Sequence, residues 1–196
     1  MKEGVCAAPN EEQAEVLFLG EVQMNVEKVY GAEKAQSYSG KMMEVGKSAE
    51  ETFMRWAASE PRNWEWKDVR DSKEYQSRKV DFLFRINGRV GALDVKSDTR
   101  IGVTENVLVE VQRDYAGGRS RKGWLLASES HVLVYLNPTT GKLYWFQMRW
   151  LRDYYTANKE KLKLIRIASD NAKVTWCALL PLAAFKPVVV ELGETK

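Results

Sequence analysis

Histidine is nearly missing from this 196-residue chain, with His131 as its single occurrence. Ser-His-Asp hydrolysis, histidine-rich metal sites and nucleases built on imidazoles each need at least one well-placed ring and usually more. All three are therefore disfavoured, and a lone histidine ahead of an apolar strand reads as structural. Cysteine is almost as scarce. Cys6 and Cys177 are too few and too far apart for a disulfide framework or a cysteine-type zinc site, which suits a reducing cytoplasm. No apolar run approaches about 18 residues, and the start, MKEGVCAAPNEEQAE, lacks an apolar signal core, so neither membrane spanning nor secretion is expected. Charge of one sign is also lacking. With 30 basic and 27 acidic residues the net charge is +3, so any basic surface must come from local clustering.

What is present suffices for a domain with a sizeable core, since 44% of the residues are hydrophobic and 29% charged. Residues 1–40 read as an N-terminal extension whose pattern fits helix or strand equally, and residues 41–196 as a single domain. No internal repeat or low-complexity tract interrupts it.

The most informative stretch is SRKVDFLFRINGRVGALDVKS, residues 77–97. In its first arm Val80, Phe82, Phe84 and Ile86 share one face and Asp81, Leu83 and Arg85 the other. Asn87-Gly88 supplies a turn that tolerates positive φ, a strong hairpin signal between apolar runs. In the second arm Val90, Ala92, Asp94 and Lys96 share a face, so a carboxylate and an ammonium stand about 6 to 7 Å apart along one strand.

Upstream, Ser48 with Glu51 reads as a capping box opening a helix with Ala49, Phe53, Trp56 and Ala57 at helical spacing. Glu50 then falls within the apolar stripe, on the core side, or snorkels from its edge to water. Gly46-Lys47-Ser48 imitates the end of a phosphate-binding loop, but position 41, where that motif requires glycine, is lysine. Trp64–Val69 reads as a strand, 70–78 as a polar loop, and 107–112 as a strand with Val107, Val109 and Val111 on one face and Leu108, Glu110 and Gln112 on the other. YAGGRSRKG, residues 115–123, clusters Arg119, Arg121 and Lys122, which suits phosphate contact or a solvated loop equally. A second hairpin is expected over 131–147, a helix over 149–163, and a closing strand or two. Trp145, Trp150, Tyr154 and Tyr155 read as core residues rather than base-stacking platforms.

In this order Gly46-x-x-Ala49-Glu50-x-x-Phe53, Val80-Asp81-Phe82-Leu83-Phe84 and Leu93-Asp94-Val95-Lys96 resemble the PD-(D/E)XK nuclease superfamily, over roughly residues 46–112. Its members share the restriction-endonuclease-like fold and include Holliday-junction resolvases and phage exonucleases. Val80 stands where the motif has proline. Gln112-x-x-Tyr115 echoes only loosely the Q-x-x-Y element of one branch. The resemblance implies an α/β fold, a central mixed β-sheet flanked by α-helices on an αβββαβ-type core. It further implies Mg2+, or Mn2+ in its place, held by Asp81, Asp94, the Val95 carbonyl and Glu50. Lys96 would orient the attacking water or stabilise charge on the phosphate. Glu110 and Gln112 are auxiliary ligands or structural partners, and Lys47, Arg119, Arg121 and Lys122 are candidate nucleic-acid contacts.

The expected function is a metal-dependent DNA endonuclease acting on branched or double-stranded DNA in recombination and repair, with homodimerisation left open. The alternatives are an exonuclease and a silent nuclease-fold module that binds DNA or protein. Mutually repelling carboxylates kept in one cluster favour catalysis.

Overall fold

Two residues of positive φ, Asn87 at 50° and Gly88 at 76°, turn the chain at the centre of the fold. The computed structural model describes residues 41–60, 64–169 and 173–192, so the expectation for residues 1–40 lies outside the described residues. In chain order the first elements are α1 (Lys41–Ser59), β1 (Glu65–Asp68), α2 (Lys73–Arg78), β2 (Phe82–Ile86) and β3 (Arg89–Ser97). Then come β4 (Asn106–Tyr115), β5 (Arg119–Lys122), the one-turn α3 (Trp124–Ala127), β6 (Val132–Asn137) and β7 (Lys142–Gln147). The last are α4 (Met148–Asn158), β8 (Leu164–Ser169), β9 (Lys173–Pro181) and β10 (Val188–Glu191).

The first sheet has six strands in the order β1-β2-β3-β6-β7-β10. All its pairs are antiparallel except β3 with β6, which is parallel and sets Asp94 beside Leu133 and Lys96 beside Tyr135. Period-2 alternation then gives this sheet two different faces. On one, Phe82, Phe84, Leu93, Val95, Val132, Val134 and Trp145 bury against Ala49, Phe53 and Ala57 of α1. Phe53, with no exposed surface, sits 5.2 Å from the Phe82 ring and 5.5 Å from that of Trp66. The other face carries Leu133 and Tyr135 into a second core with Val107, Val109, Ala178, Leu180, Met148 and Leu151.

That second core is roofed by an antiparallel four-stranded sheet, β5-β4-β9-β8, together with α4. The protein is thus a mixed α/β structure whose larger sheet is flanked by helices, with α2 between β1 and β2, and with β4 and β5 between β3 and α3. The segment joining β3 to β6 contains the β4–β5 hairpin and the one-turn α3.

Local expectations also shift. The first helix runs from Lys41, so Ser48 and Glu51 are interior residues and form no capping box. The expected polar loop contains α2, closed by Lys79 in the left-handed region. The predicted helix over 149–163 is shorter, Met148–Asn158. In β4 the pairing slips between Glu110 and Gln112, leaving Val111 as an extra residue. Such a bulge reverses the alternation beyond it, so Gln112 no longer shares a face with Glu110.

Gly123 pins this bulge. Its N–H donates to the Val111 carbonyl at 2.8 Å, and a Cβ added there would lie 2.4 Å from the Glu110 carbonyl carbon and oxygen. These neighbours are backbone and cannot swing aside. Gly123→Ala is expected to destabilise by about 1–3 kcal/mol, whereas Gly46→Ala on α1, where a Cβ meets nothing within 4 Å, should stabilise by up to about 1 kcal/mol. Denaturant midpoints of the two variants check both signs.

Candidate active site

The site begins where β2 stops short. β2 pairs with β3 only from Arg89 to Leu93, so the end of β3 beyond Leu93 pairs with β6 alone and one backbone edge stays open. Asp81, just ahead of β2, stands at this opening. Its N–H donates to the Leu93 carbonyl at 2.9 Å, and its Oδ2 accepts the Val95 N–H at 2.8 Å. A side chain thus takes the hydrogen bond that a longer β2 would have offered. The segment leading into Asp81 is tied down as well: the Lys79 carbonyl accepts from Ser128 Oγ at 2.9 Å and Ser130 Oγ at 3.1 Å.

Asp94 projects from the same end of β3 and is 1% exposed. Its Oδ1 is ion-paired with Lys96 Nζ, while its Oδ2 is buried with no hydrogen-bond partner. Burial, with repulsion from Asp81 added, pushes the Asp94 carboxyl up to about 8 despite Lys96. Burial opposes charge on Lys96 too, but Asp94, Asp81 and Glu50 outweigh it and raise its pKa. The Asp94 carboxyl thus holds a proton near neutral pH, beside Asp81 and opposite the Lys96 ammonium. Lys96 also donates to the Val95 carbonyl at 3.2 Å and lies 5.9 Å from the Trp124 ring centroid.

Glu50 completes the group from α1. Burial and then Asp81 raise its pKa, against Arg70 and Lys96, which lower it. Arg70 Nη1 meets Glu50 Oε2 at 3.1 Å and Arg70 Nη2 meets Asp68 Oδ2 at 2.7 Å, with the guanidinium 5.1 Å from the Phe82 ring centroid. Arg70, which no periodic signal in the sequence singles out, therefore sets the position of Glu50. Lys47 lies exposed one turn before Glu50, on the same side of α1.

The structure thus brings Glu50, Asp81, Asp94, Val95 and Lys96 together, and places the other candidates further out. Glu110 Oε1 accepts the Trp124 N–H at 3.2 Å, and its Oε2 accepts from Arg113 Nη2 at 2.9 Å. Positions three apart in a regular strand face opposite ways, so the Glu110–Arg113 pair exists because of the bulge. Gln112 turns instead to Asp114, donating to its Oδ1 at 2.8 Å. Arg119, Arg121 and Lys122 form the exposed strand β5. His131 is structural: its Nδ1 accepts the Ala92 N–H at 3.1 Å.

Among the described residues, no three His, Cys, Asp or Glu side chains stand as a ready cation site. The donors nevertheless fit a hard divalent cation. A buried carboxyl that keeps its proton because of burial and a neighbouring acid, and whose Oδ2 has no hydrogen-bond partner, gains most when a cation replaces that proton.

No family model matches the sequence, and no curated protein matches it. The solved structure of a bacterial homing endonuclease, I-Ssp6803I, is similar to this chain over 56% of its length and 70% of its own, with 16% identity and a TM-score of 0.42.

Arg70→Met tests the role of Arg70. Losing its hydrogen bonds to two acids should cost about 1–3 kcal/mol and move the Glu50 titration, followed by carboxyl NMR, further upward because Arg70 lowers it.

Proposed function

We propose that the protein is a metal-dependent DNA nuclease of PD-(D/E)XK type on a restriction-endonuclease-like core. The observation that carries this reading is Asp94, buried beside Asp81 with one oxygen on Lys96 and the other unpartnered. Desolvating a carboxylate next to a like charge is costly, and a purely structural position gains nothing that asparagine would not supply. The placement of Asp81 ahead of β2 and of Asp94-x-Lys96 on β3, with α1 packed on the same sheet, supports the same reading.

Asp81 and Asp94 would hold Mg2+, or Mn2+ in its place, with the Val95 carbonyl and Glu50 as further oxygen donors. Bound there, the ion would neutralise the scissile phosphate and lower the pKa of an attacking water. Lys96, released from Asp94 and Val95, points its ammonium at the phosphate or at the nucleophile. Arg70 keeps the Glu50 carboxylate turned toward the group. Trp124 and Tyr135 form a buried floor that keeps the cluster's dielectric low and its charges strong. The substrate is duplex or branched DNA, cut endonucleolytically to 5′-phosphate and 3′-hydroxyl ends, in the manner of a Holliday-junction resolvase serving recombination and repair. One observation favours a second reading, a silent module that binds without cutting: Lys96 occupies both Asp94 and the Val95 carbonyl.

Purified protein with magnesium or manganese, offered linear, nicked, single-stranded and four-way-junction DNA, separates the two. The nuclease reading expects a cut in at least one substrate and a loss of about 10²–10⁴-fold in rate for Lys96→Ala. Absence of any cut leaves the silent module, and a cut untouched by Lys96→Ala or Asp94→Ala refutes the site.

The buried acid gives an independent signature. Between pH about 4 and about 8 the folded chain keeps a proton on Asp94 that the unfolded chain releases. Metal-free stability must therefore fall as pH rises through that window. Asp94→Asn removes this contribution while still accepting from Lys96, so its melting temperature should exceed that of the unsubstituted protein at pH 8 and converge with it at pH 4. Equal melting temperatures at both pH values would show that Asp94 carries no such proton.

A further inference from the structure

The β4–β5 hairpin leaves the body of the protein. Residues Ala116 to Lys122 are all exposed, and a Cβ at Gly117 or Gly118 would meet nothing within 4 Å. Those glycines turn the chain with φ of 86° and 78°. The register sets Arg113 beside Arg121 and Tyr115 beside Arg119 on one face, and Asp114 beside Ser120 and Gln112 beside Lys122 on the other. Contacts agree with those faces: the Arg121 guanidinium lies 5.7 Å from the Tyr115 ring centroid, and Gln112 bonds Asp114.

The charges on this ribbon are unequal in their freedom. Asp114 accepts from Trp176 Nε1 at 2.6 Å and from Gln112, and Glu110 is held by Arg113 and the Trp124 N–H. Arg119, Arg121 and Lys122 form no ion pair with an acid among the described residues. The Arg-Tyr face also connects to the carboxylate group through an unbroken series of contacts, from Arg113 to Glu110, from Glu110 to the Trp124 N–H, and from the Trp124 ring to Lys96.

We propose that this ribbon docks B-form duplex DNA, its Arg113, Tyr115, Arg119 and Arg121 face turned to the nucleic acid, so that a bound duplex is delivered to Lys96. The inference rests on the nuclease reading and names its partner surface. Two strands about 4.8 Å apart, with side chains, fit a B-form major groove about 12 Å wide. The deep, narrow major groove of A-form RNA does not admit them. Guanidinium groups match phosphates and guanine edges bidentately, and one stacked on tyrosine is already held for that contact.

The test uses full-length Asp94→Asn, to prevent cutting, and measures binding to a labelled DNA duplex, the same sequence as duplex RNA, and single-stranded DNA across a range of salt. The expected order places duplex DNA first. Adding Arg119→Ala and Arg121→Ala should lower the slope of log affinity against log salt by about 1.8, with an unchanged melting temperature. Arg119→Lys with Arg121→Lys should restore the slope and only part of the affinity. An unchanged slope for the alanine pair, or equal binding of duplex RNA, overturns the ribbon inference, while DNA cutting by the unsubstituted chain would still uphold the nuclease reading. Failure of Asp94→Asn to bind any nucleic acid, together with no cutting, overturns both.

Discussion

The site depends on one constraint, the burial of a carboxylate at the end of a strand that has outrun its neighbour. Because β2 stops at the level of Leu93, Val95 has a free N–H, and Asp81 takes it with a side chain. That bond brings Asp81 against Asp94, which β3 already directs away from α1. The repulsion between them is tolerated because Lys96, two residues on, shares the face with Asp94 and is raised in pKa by the acids around it. A β2 longer by a residue pair would have closed the edge with backbone hydrogen bonds and dispersed the group.

Holding mutually repelling acids so close requires stiff surroundings, and the two cores supply them. The aromatic packing of Phe53 with Phe82 and Trp66 fixes α1, and so Glu50, against one face of the sheet. On the other face Gly123, the Val111 bulge and Glu110 fix α3, whose Trp124 lies beneath the Lys96 ammonium. Glu110 shows that an acid on a strand need not face the chemistry: its two oxygens align a helix turn and an arginine.

Local patterns were legible because they depend on near neighbours alone. The alternation of Val80 to Ile86, the Asn87-Gly88 turn and the pairing of Asp94 with Lys96 follow from period-2 geometry, and Glu50 within an apolar stripe follows from helical spacing. What failed were features set by contacts distant in sequence. Nothing within residues 106–115 announces a bulge, which exists because Gly123 presses on the Glu110 backbone. Nor does a polar stretch after β1 reveal that Arg70 reaches twenty residues back to Glu50. Ser48 and Glu51 satisfy the capping pattern yet sit in mid-helix, so that pattern does not mark where α1 starts.

Charge counting shows how such a group would handle an anion. The group sets four acids, Glu50, Asp81, Asp94 and Asp68, against two cations, Lys96 and Arg70, and burial keeps a proton on Asp94. Acids thus outnumber cations in the group, a balance that repels a phosphodiester. Under the proposed reading, a divalent cation taken up in place of that proton would offset the acids and let Lys96 face the phosphate, so nucleic acid at the cluster would depend on the cation. The exposed Arg119, Arg121 and Lys122 of β5, which form no ion pair among the described residues, would under the same proposal attract a duplex whether or not the cation is present, because local positive charge raises the rate of encounter.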